Sequence, residues 1–115
     1  MAKRRKRRER EPAATTDYTD DEGNVLTLRD SLSPASVRKI QGGPAKAATS
    51  AEDAYARREE MLFERLVVSW EIAGLPLDDQ KMLVGRYRMA DASEREWVRH
   101  TIARHVERHI PDLAP

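Results

Sequence analysis

The chain has 115 residues, of which 39% are hydrophobic, 36% charged and only 5% aromatic, so it supports one small domain with extensions. No cysteine is present, which excludes disulfides, thiolate metal sites and cysteine nucleophiles. Large apolar residues occur only in short runs, whereas a membrane-spanning helix needs roughly 18 or more in succession. We therefore expect no membrane-spanning segment.

The formal net charge of +1 combines two unlike regions. Residues 1–10 carry seven basic side chains and one acidic side chain, whereas the remainder of the chain carries fourteen basic and nineteen acidic ones. Neighbouring cations repel one another and bring no apolar surface to bury, so residues 1–16 are predicted to form a disordered basic arm.

Cations at this density neutralise phosphates and release counterions, which predicts nonspecific binding of the arm to nucleic acid. The alternative is that the arm serves solubility alone. The residues predicted to bind nucleic acid are Lys3, Arg4, Arg5, Lys6, Arg7, Arg8 and Arg10.

The basic arm lacks the features of a targeting sequence. A secretory signal requires an apolar stretch of roughly 7–15 residues after its basic start, and Glu-Pro-Ala-Ala-Thr-Thr-Asp follows instead. The acidic residues between 17 and 22 are equally untypical of a mitochondrial transit peptide. Sixteen arginines against five lysines, with fifteen alanines, are typical of a GC-rich genome. We therefore expect a cytoplasmic protein of a bacterium or a phage.

A short β-hairpin is predicted at the start of residues 17–41. The run Val25–Leu28 contains β-formers, and Gly23 or Asn24 before it tolerates the positive φ of a hairpin turn. We expect this run to pair with Tyr18 and Thr19. Because an isolated hairpin is marginally stable in water, it needs another surface to lie on.

A short helix is predicted from Pro34 to Gln41. Ser33 precedes it as a cap, and proline at the first helical position has no N–H to leave unpaired. The sequence Gly-Gly-Pro at 42–44 is predicted to end this helix, and residues 42–49 are assigned to a linker.

Three further helices are predicted over residues 50–110. The first begins at the cap Ser50 and ends at Gly74, the second covers 78–89, and the third runs from the Asp91 cap to about His109. The apolar positions recur at helical spacing. The side chains predicted to line the core are Tyr55, Leu62, Phe63, Leu66, Val67, Trp70, Ala73, Met82, Leu83, Tyr87, Trp97, Val98, Ile102, Val106 and Ile110.

The fold class expected from these elements is mainly α. A small three-helix C-terminal unit (about 50–110) follows the hairpin-like segment and the short helix, and residues 111–115 form a tail. So small a core is marginal by itself, which favours additional cover from the N-terminal elements, a partner or a second copy.

The three histidines are the first candidates for chemistry, because all of them lie in the last predicted helix. At about 100° per residue, His105 and His109 lie about 40° apart, whereas His100 is about 140° from His105. The His-Val-Glu-Arg-His segment also departs from the zinc-protease motif, in which glutamate directly follows the first histidine. We interpret the histidines as a polar flank near a helix C-terminus and predict no metal site.

Other motif classes fail on spacing. An EF-hand loop aligned on Gly23 places Tyr18 and Arg29 where oxygen ligands are needed. Phosphate-binding loops and the nucleophile elbow of serine hydrolases are both missing from the sequence. We therefore expect neither catalysis nor a cofactor.

The last two helices also permit a helix-turn-helix interpretation, in which Arg95, Arg99 and His100 face DNA. Glutamates at 94, 96 and 107 interrupt that positive face, which weakens the interpretation.

The sequence therefore predicts a non-enzymatic small binding protein. Its helical domain would contact a protein partner or a second copy, while the arm provides nonspecific affinity for nucleic acid. The first alternative is a purely protein-binding adaptor or assembly factor with a solubilising tail. The second alternative is a helix-turn-helix regulator.

Overall fold

The computed structural model describes residues 14–47 and 50–114. Within them, four strands form one antiparallel sheet in the order β1-β2-β3-β4. The strands are β1 (Thr15–Thr19), β2 (Val25–Arg29), β3 (Val67–Ile72) and β4 (Leu75–Leu77). The sheet therefore combines two hairpins that are distant in sequence, and β2 and β3 join them at its centre.

Four α-helices and one short 3-10 helix complete the described part of the chain. The α-helices are α1 (Pro34–Ala47), α2 (Ala51–Leu66), α3 (Gln80–Arg88) and α4 (Ala92–His109), and the 3-10 helix covers Pro111–Leu113. Three predicted N-caps are confirmed: the side chains of Ser33, Ser50 and Asp91 accept backbone N–H groups three residues later. Glu94 completes a capping box with Asp91.

The predicted fold class is wrong, because the domain is α+β and not a mainly α three-helix unit. The error arises after Leu66, where α2 ends and the chain enters β3 without a loop. A single helix was predicted from Ser50 to Gly74. Its second half contains the sequence Val-Val-Ser-Trp-Glu-Ile, whose β-branched and aromatic residues favour a strand. Trp70 is buried, as predicted, but it lies in a strand.

A tight turn at Ala73 and Gly74 converts the end of the predicted helix into a second hairpin. Both residues have positive φ, at 53° and 79°, and Ile72 pairs directly with Leu75. Two central residues with positive φ are typical of the turn type that matches the twist of antiparallel strands. Gly74 therefore acts as a hairpin residue, and its predicted role as a helix terminator is wrong.

The predicted N-terminal hairpin is confirmed, with Tyr18 opposite Leu26 and Thr19 opposite Val25. It does lie on another surface, since β2 pairs with β3. Buried Asn24 links the two hairpin turns, because its side-chain oxygen accepts the backbone N–H of Ala73 at 3.0 Å.

Helix α1 extends beyond its predicted end and reaches Ala47. Its backbone remains helical through Gly42, although glycine costs about 1 kcal/mol relative to alanine inside a helix. Packing of α1 against α2 and burial of Ile40 accompany this extension, so tertiary contacts override a local helix-breaking signal.

The core lies between the sheet and the helices. An aromatic series crosses it: Phe63 contacts Trp70 with ring centroids 6.0 Å apart and stacks on Tyr87 at 4.5 Å. This series connects β3 with α2 and α3. Of the predicted core positions, Tyr55, Ala73 and Met82 are instead exposed. The buried hydrophobic side chains are Leu26, Leu28, Ile40, Leu62, Phe63, Leu66, Val67, Trp70, Leu83, Val84, Tyr87, Ala90, Val98, Ile102, Val106, Ile110 and Leu113.

Among the described residues, no helix combines the length and the apolar character that crossing a bilayer requires.

Replacing Leu28 with alanine tests whether the hairpin belongs to the core. Leu28 is 0% exposed, so L28A should lower the free energy of unfolding by about 2–5 kcal/mol in chemical denaturation. The matched control is L75A, because Leu75 is 73% exposed and its truncation should cost about 0.5 kcal/mol or less. Equal effects of the two substitutions would contradict the observed packing of β2.

Candidate functional site

His105 lies in the interior of the domain and joins α4 to the first hairpin. Its side chain is fully buried, and its two ring nitrogens contact different parts of that hairpin. The Nδ1 atom lies 2.7 Å from the hydroxyl of Tyr18, and the Nε2 atom lies 2.8 Å from the carbonyl oxygen of Arg29. A buried polar side chain is thereby fully hydrogen bonded, as burial requires.

The contacts of His105 indicate its tautomer, and its burial favours the neutral ring. A carbonyl oxygen only accepts, so Nε2 carries a hydrogen and donates it to Arg29. Burial lowers the pKa of His105, which favours the neutral ring with Nδ1 unprotonated. The Tyr18 hydroxyl then donates to Nδ1, and burial likewise raises the pKa of Tyr18 and keeps that hydroxyl protonated.

Asp30, His105 and His109 form a cluster whose composition resembles that of a metal site. Asp30 Oδ1 lies 3.7 Å from His105 Nε2 and 3.9 Å from His109 Nδ1, and it accepts the Thr16 hydroxyl at 2.6 Å. A metal ligand needs a free lone pair on its nitrogen. In His105, Nδ1 already accepts from Tyr18 and Nε2 carries the hydrogen, so the observed contacts do not provide that lone pair. We interpret this cluster as a structural joint.

The interpretation of the histidines as a polar flank is wrong for His105 and correct for His100. His100 is exposed, and its Nε2 atom lies 2.9 Å from the carboxylate of Glu96. The sequence contained a signal for His105, because it lies seven residues after buried Val98 and three after buried Ile102, on the same helix face. As predicted, His105 and His109 share a face, with ring centroids 4.5 Å apart.

The face of α4 that a helix-turn-helix protein would present to DNA is largely engaged in ion pairs. Arg99 contacts Glu96 and lies 3.4 Å from Glu59, and His100 also contacts Glu96. The hydrogen bonds from Arg99 and His100 lower the pKa of Glu96, so this carboxylate remains ionised and compensates their charge. Arg95 is exposed.

A groove between α2 and α4, here called the α2–α4 groove, is the candidate binding site of the folded domain. It encloses a cavity of about 330 Å³, which lies at the lower end of the range for ligand pockets. Buried apolar side chains from three helices and the 3-10 helix line its floor. These floor residues are Leu62, Tyr87, Ile102, Val106 and Leu113.

The rim of the α2–α4 groove carries charges of both signs and one exposed aromatic side chain. Tyr55 is 61% exposed, and its hydrogen bond to the Glu59 carboxylate raises the pKa of Tyr55. The guanidinium of Arg58 donates to the carbonyl oxygen of Leu113, which attaches the 3-10 helix to α2. Tyr55 was predicted to lie in the core because it follows the helical spacing of the apolar residues. The spacing does not reveal that no other element covers this turn of α2.

A second depression continues the groove along α4. It has a volume of about 300 Å³ and shares Glu59, Tyr87, Glu96 and Arg99 with the first. Together the two depressions follow α4 from Ala92 to Val106. At 1.5 Å per residue this corresponds to roughly 21 Å, the length of a helix of about four turns.

The sequence-predicted nucleic-acid site lies outside the described residues. It comprises Lys3, Arg4, Arg5, Lys6, Arg7, Arg8 and Arg10. The structure does place the point from which the chain continues towards these residues, because the carbonyl oxygen of Ala14 accepts the N–H of Asp30 at 2.9 Å. The arm is therefore attached beside the joint formed by His105.

Comparison of this chain with protein-family models, with curated proteins and with solved structures finds no match in any of the three.

The folded protein should lose stability as the pH falls below about 6.5, the ordinary pKa of histidine. The pKa of His105 is lowered in the folded state, so the unfolded chain takes up a proton first and acidification favours unfolding. Chemical denaturation between pH 7.5 and 5 measures this loss. It should persist in H100Q, because His100 is exposed, and it should shrink in H105Q. An unchanged pH dependence in H105Q would contradict a buried neutral ring.

Proposed function

We propose that this chain is a non-enzymatic binding protein with two separate contacts. The α2–α4 groove binds an amphipathic helix of another protein, and the basic arm, Lys3–Arg10, holds nucleic acid without sequence preference. The observation that carries the proposal is the groove itself, which combines an apolar floor with a rim of both charge signs.

The dimensions of the groove support a helical occupant. An amphipathic helix places apolar side chains at intervals of three and four residues along one face and charged side chains beside them. The apolar face fits the floor of the first depression, and the charged side chains fit the second, which is lined mainly by charged residues. A path of roughly 21 Å along α4 matches about four turns of such a helix. The cavity of about 330 Å³ provides apolar contact at one end of this path.

Tyr55 supports a protein partner over a small ligand. Tyrosine combines a large apolar ring with a polar end, and it is enriched at protein interfaces and among the residues that dominate their binding energy. In this protein it stands 61% exposed at the rim, where a bound helix would cover it. The ion pairs of the rim, such as Arg99 with Glu59, offer polar contacts around that apolar centre.

The engagement of the histidines supports binding over catalysis. A general base needs an imidazole nitrogen within reach of a substrate. Both nitrogens of His105 are hydrogen bonded in the interior, so this ring is out of reach of a substrate. His100 and His109 each face a carboxylate through one nitrogen, that of Glu96 and that of Asp30. A role in binding uses the same residues without requiring any of them to exchange protons with a substrate.

The charges of α4 weigh against the helix-turn-helix alternative. Two consecutive helices joined by a short turn are present, because only three residues separate α3 from α4. However, Arg99 and His100 would have to break their ion pairs with Glu96 before they could contact DNA. The adaptor alternative shares the groove and differs only in the arm. Replacing the seven cations of the arm with glutamine distinguishes the two, because the adaptor alternative predicts no change in nucleic-acid binding.

Cross-linking from the rim tests the groove. A photoreactive phenylalanine analogue at position 55 of the full chain should give one discrete adduct with a protein of the source organism. A103R should reduce this adduct by about tenfold or more, because Ala103 lines the groove and arginine would obstruct it. The matched control is A35R, since Ala35 is exposed on α1 and does not line the groove.

The outcomes separate the candidates. Circular dichroism first establishes that both variants remain folded. An adduct that persists in A103R would contradict docking in the groove. An adduct with a second copy of this chain would show that the groove serves self-association, which would contradict a helix of another protein as its occupant. Cross-links from position 55 to added nucleic acid would contradict the assignment of the two contacts to separate surfaces.

A further inference from the structure

The basic end of α4 lies beside the point where the arm is attached. Asp30 donates its N–H to Ala14 at the start of β1, and its carboxylate lies 3.7 Å from His105 and 3.9 Å from His109. The last two turns of α4 and the root of the arm therefore meet at one end of the sheet. Arg10 and Ala14 are four residues apart in the sequence, and a chain segment of that length spans at most about 14 Å.

Two exposed arginines of α4 face this region. Arg104 and Arg108 are one turn apart, on either side of His105 in the sequence, and therefore neighbour each other on the helix surface. Both lower the pKa of Tyr18 by their charge, against the larger effect of burial, which places them within electrostatic range of β1. Among the described residues, neither is ion-paired with an acid.

Arg29 is also exposed, but its side chain alternates with buried Leu28 and therefore lies on the face of the sheet away from α4. Its carbonyl oxygen accepts from His105, and its Cα pairs with that of Thr15, the first residue of β1. The acids of this region are Asp30, which contacts Thr16, and exposed Glu107. Among the described residues, Arg104 and Arg108 have no acidic partner, in contrast to the paired arginines along the groove.

We propose that Arg104 and Arg108 form a phosphate-binding site that extends the basic arm onto the folded domain. The occupant is the backbone of a nucleic acid, and this inference rests on the proposed function of the arm. Phosphates bound by the arm are delivered to the arginines, because the covalent linkage holds both sets of cations within reach of the same strand. The site fixes where the domain sits on the nucleic acid without reading its sequence.

The salt dependence of binding tests this site. Fluorescence anisotropy of the full chain with a labelled 20-base-pair DNA duplex, and in parallel with a 20-nucleotide RNA, gives the dissociation constant at several salt concentrations. Each phosphate contact contributes about 0.9 to the slope for duplex DNA, so R104Q/R108Q should reduce the slope by about 2. The parallel RNA series shows whether the site distinguishes the two backbones.

Two further variants separate contact from net charge. K39Q/K81Q removes the same charge from exposed positions on α1 and α3, and it should change the slope by less than about 0.5. R104K/R108K retains the charge and should restore most of the slope. Equal slopes for R104Q/R108Q and K39Q/K81Q would overturn the site while the arm still binds. No binding by the wild-type chain would overturn both the site and the nucleic-acid part of the proposed function.

Discussion

The pairing of β3 with β2 is the contact on which the remaining architecture depends. β3 is the strand that follows α2 directly, so pairing Leu26 with Trp70 connects the N-terminal hairpin to the helical half of the chain. Trp70 then contacts Phe63, and Phe63 stacks on Tyr87 at the floor of the groove. A hairpin that would be marginal alone and a helical core that would be small alone thus complete each other.

His105 provides a second, polar connection between the same two halves. It places one hydrogen bond on β1 and one on the end of β2, and the hydrogen bond that Nδ1 accepts from Tyr18 requires a neutral ring. The apolar contacts of a sheet and a helix are tolerant of small shifts, whereas two hydrogen bonds to one ring determine where α4 lies over the hairpin. The position of α4 in turn determines where the α2–α4 groove lies, along one side of this helix. It also determines where the basic end of the helix lies.

Local signals in the sequence predicted much of the structure, and the errors share one physical cause. Helix caps such as Ser50 and Asp91, and the first hairpin, depend on contacts between residues close in sequence. They can therefore be predicted without knowledge of the fold. β3 was missed because Leu66 and Trp70 satisfy helical spacing as well as burial in a strand, and the pairing that decides between them comes from β2, about forty residues earlier. The spacing of Tyr55 is the same for a residue in the core and for a residue at the rim of a groove. Which of the two it is depends on which element covers α2. Burial of His105, in contrast, was legible from the stripe that begins at Val98.

Protein binding and nucleic-acid binding are proposed for different surfaces of one domain. A residue-resolved NMR titration of the full chain with a short DNA duplex tests this separation most directly. We expect amide shifts in β1, at Arg29 and Asp30 and over residues 104–109, with little change along the groove at Tyr55 and Ile102. Shifts concentrated at Arg95, Arg99 and His100 would contradict the account and indicate that α4 contacts DNA through its groove side.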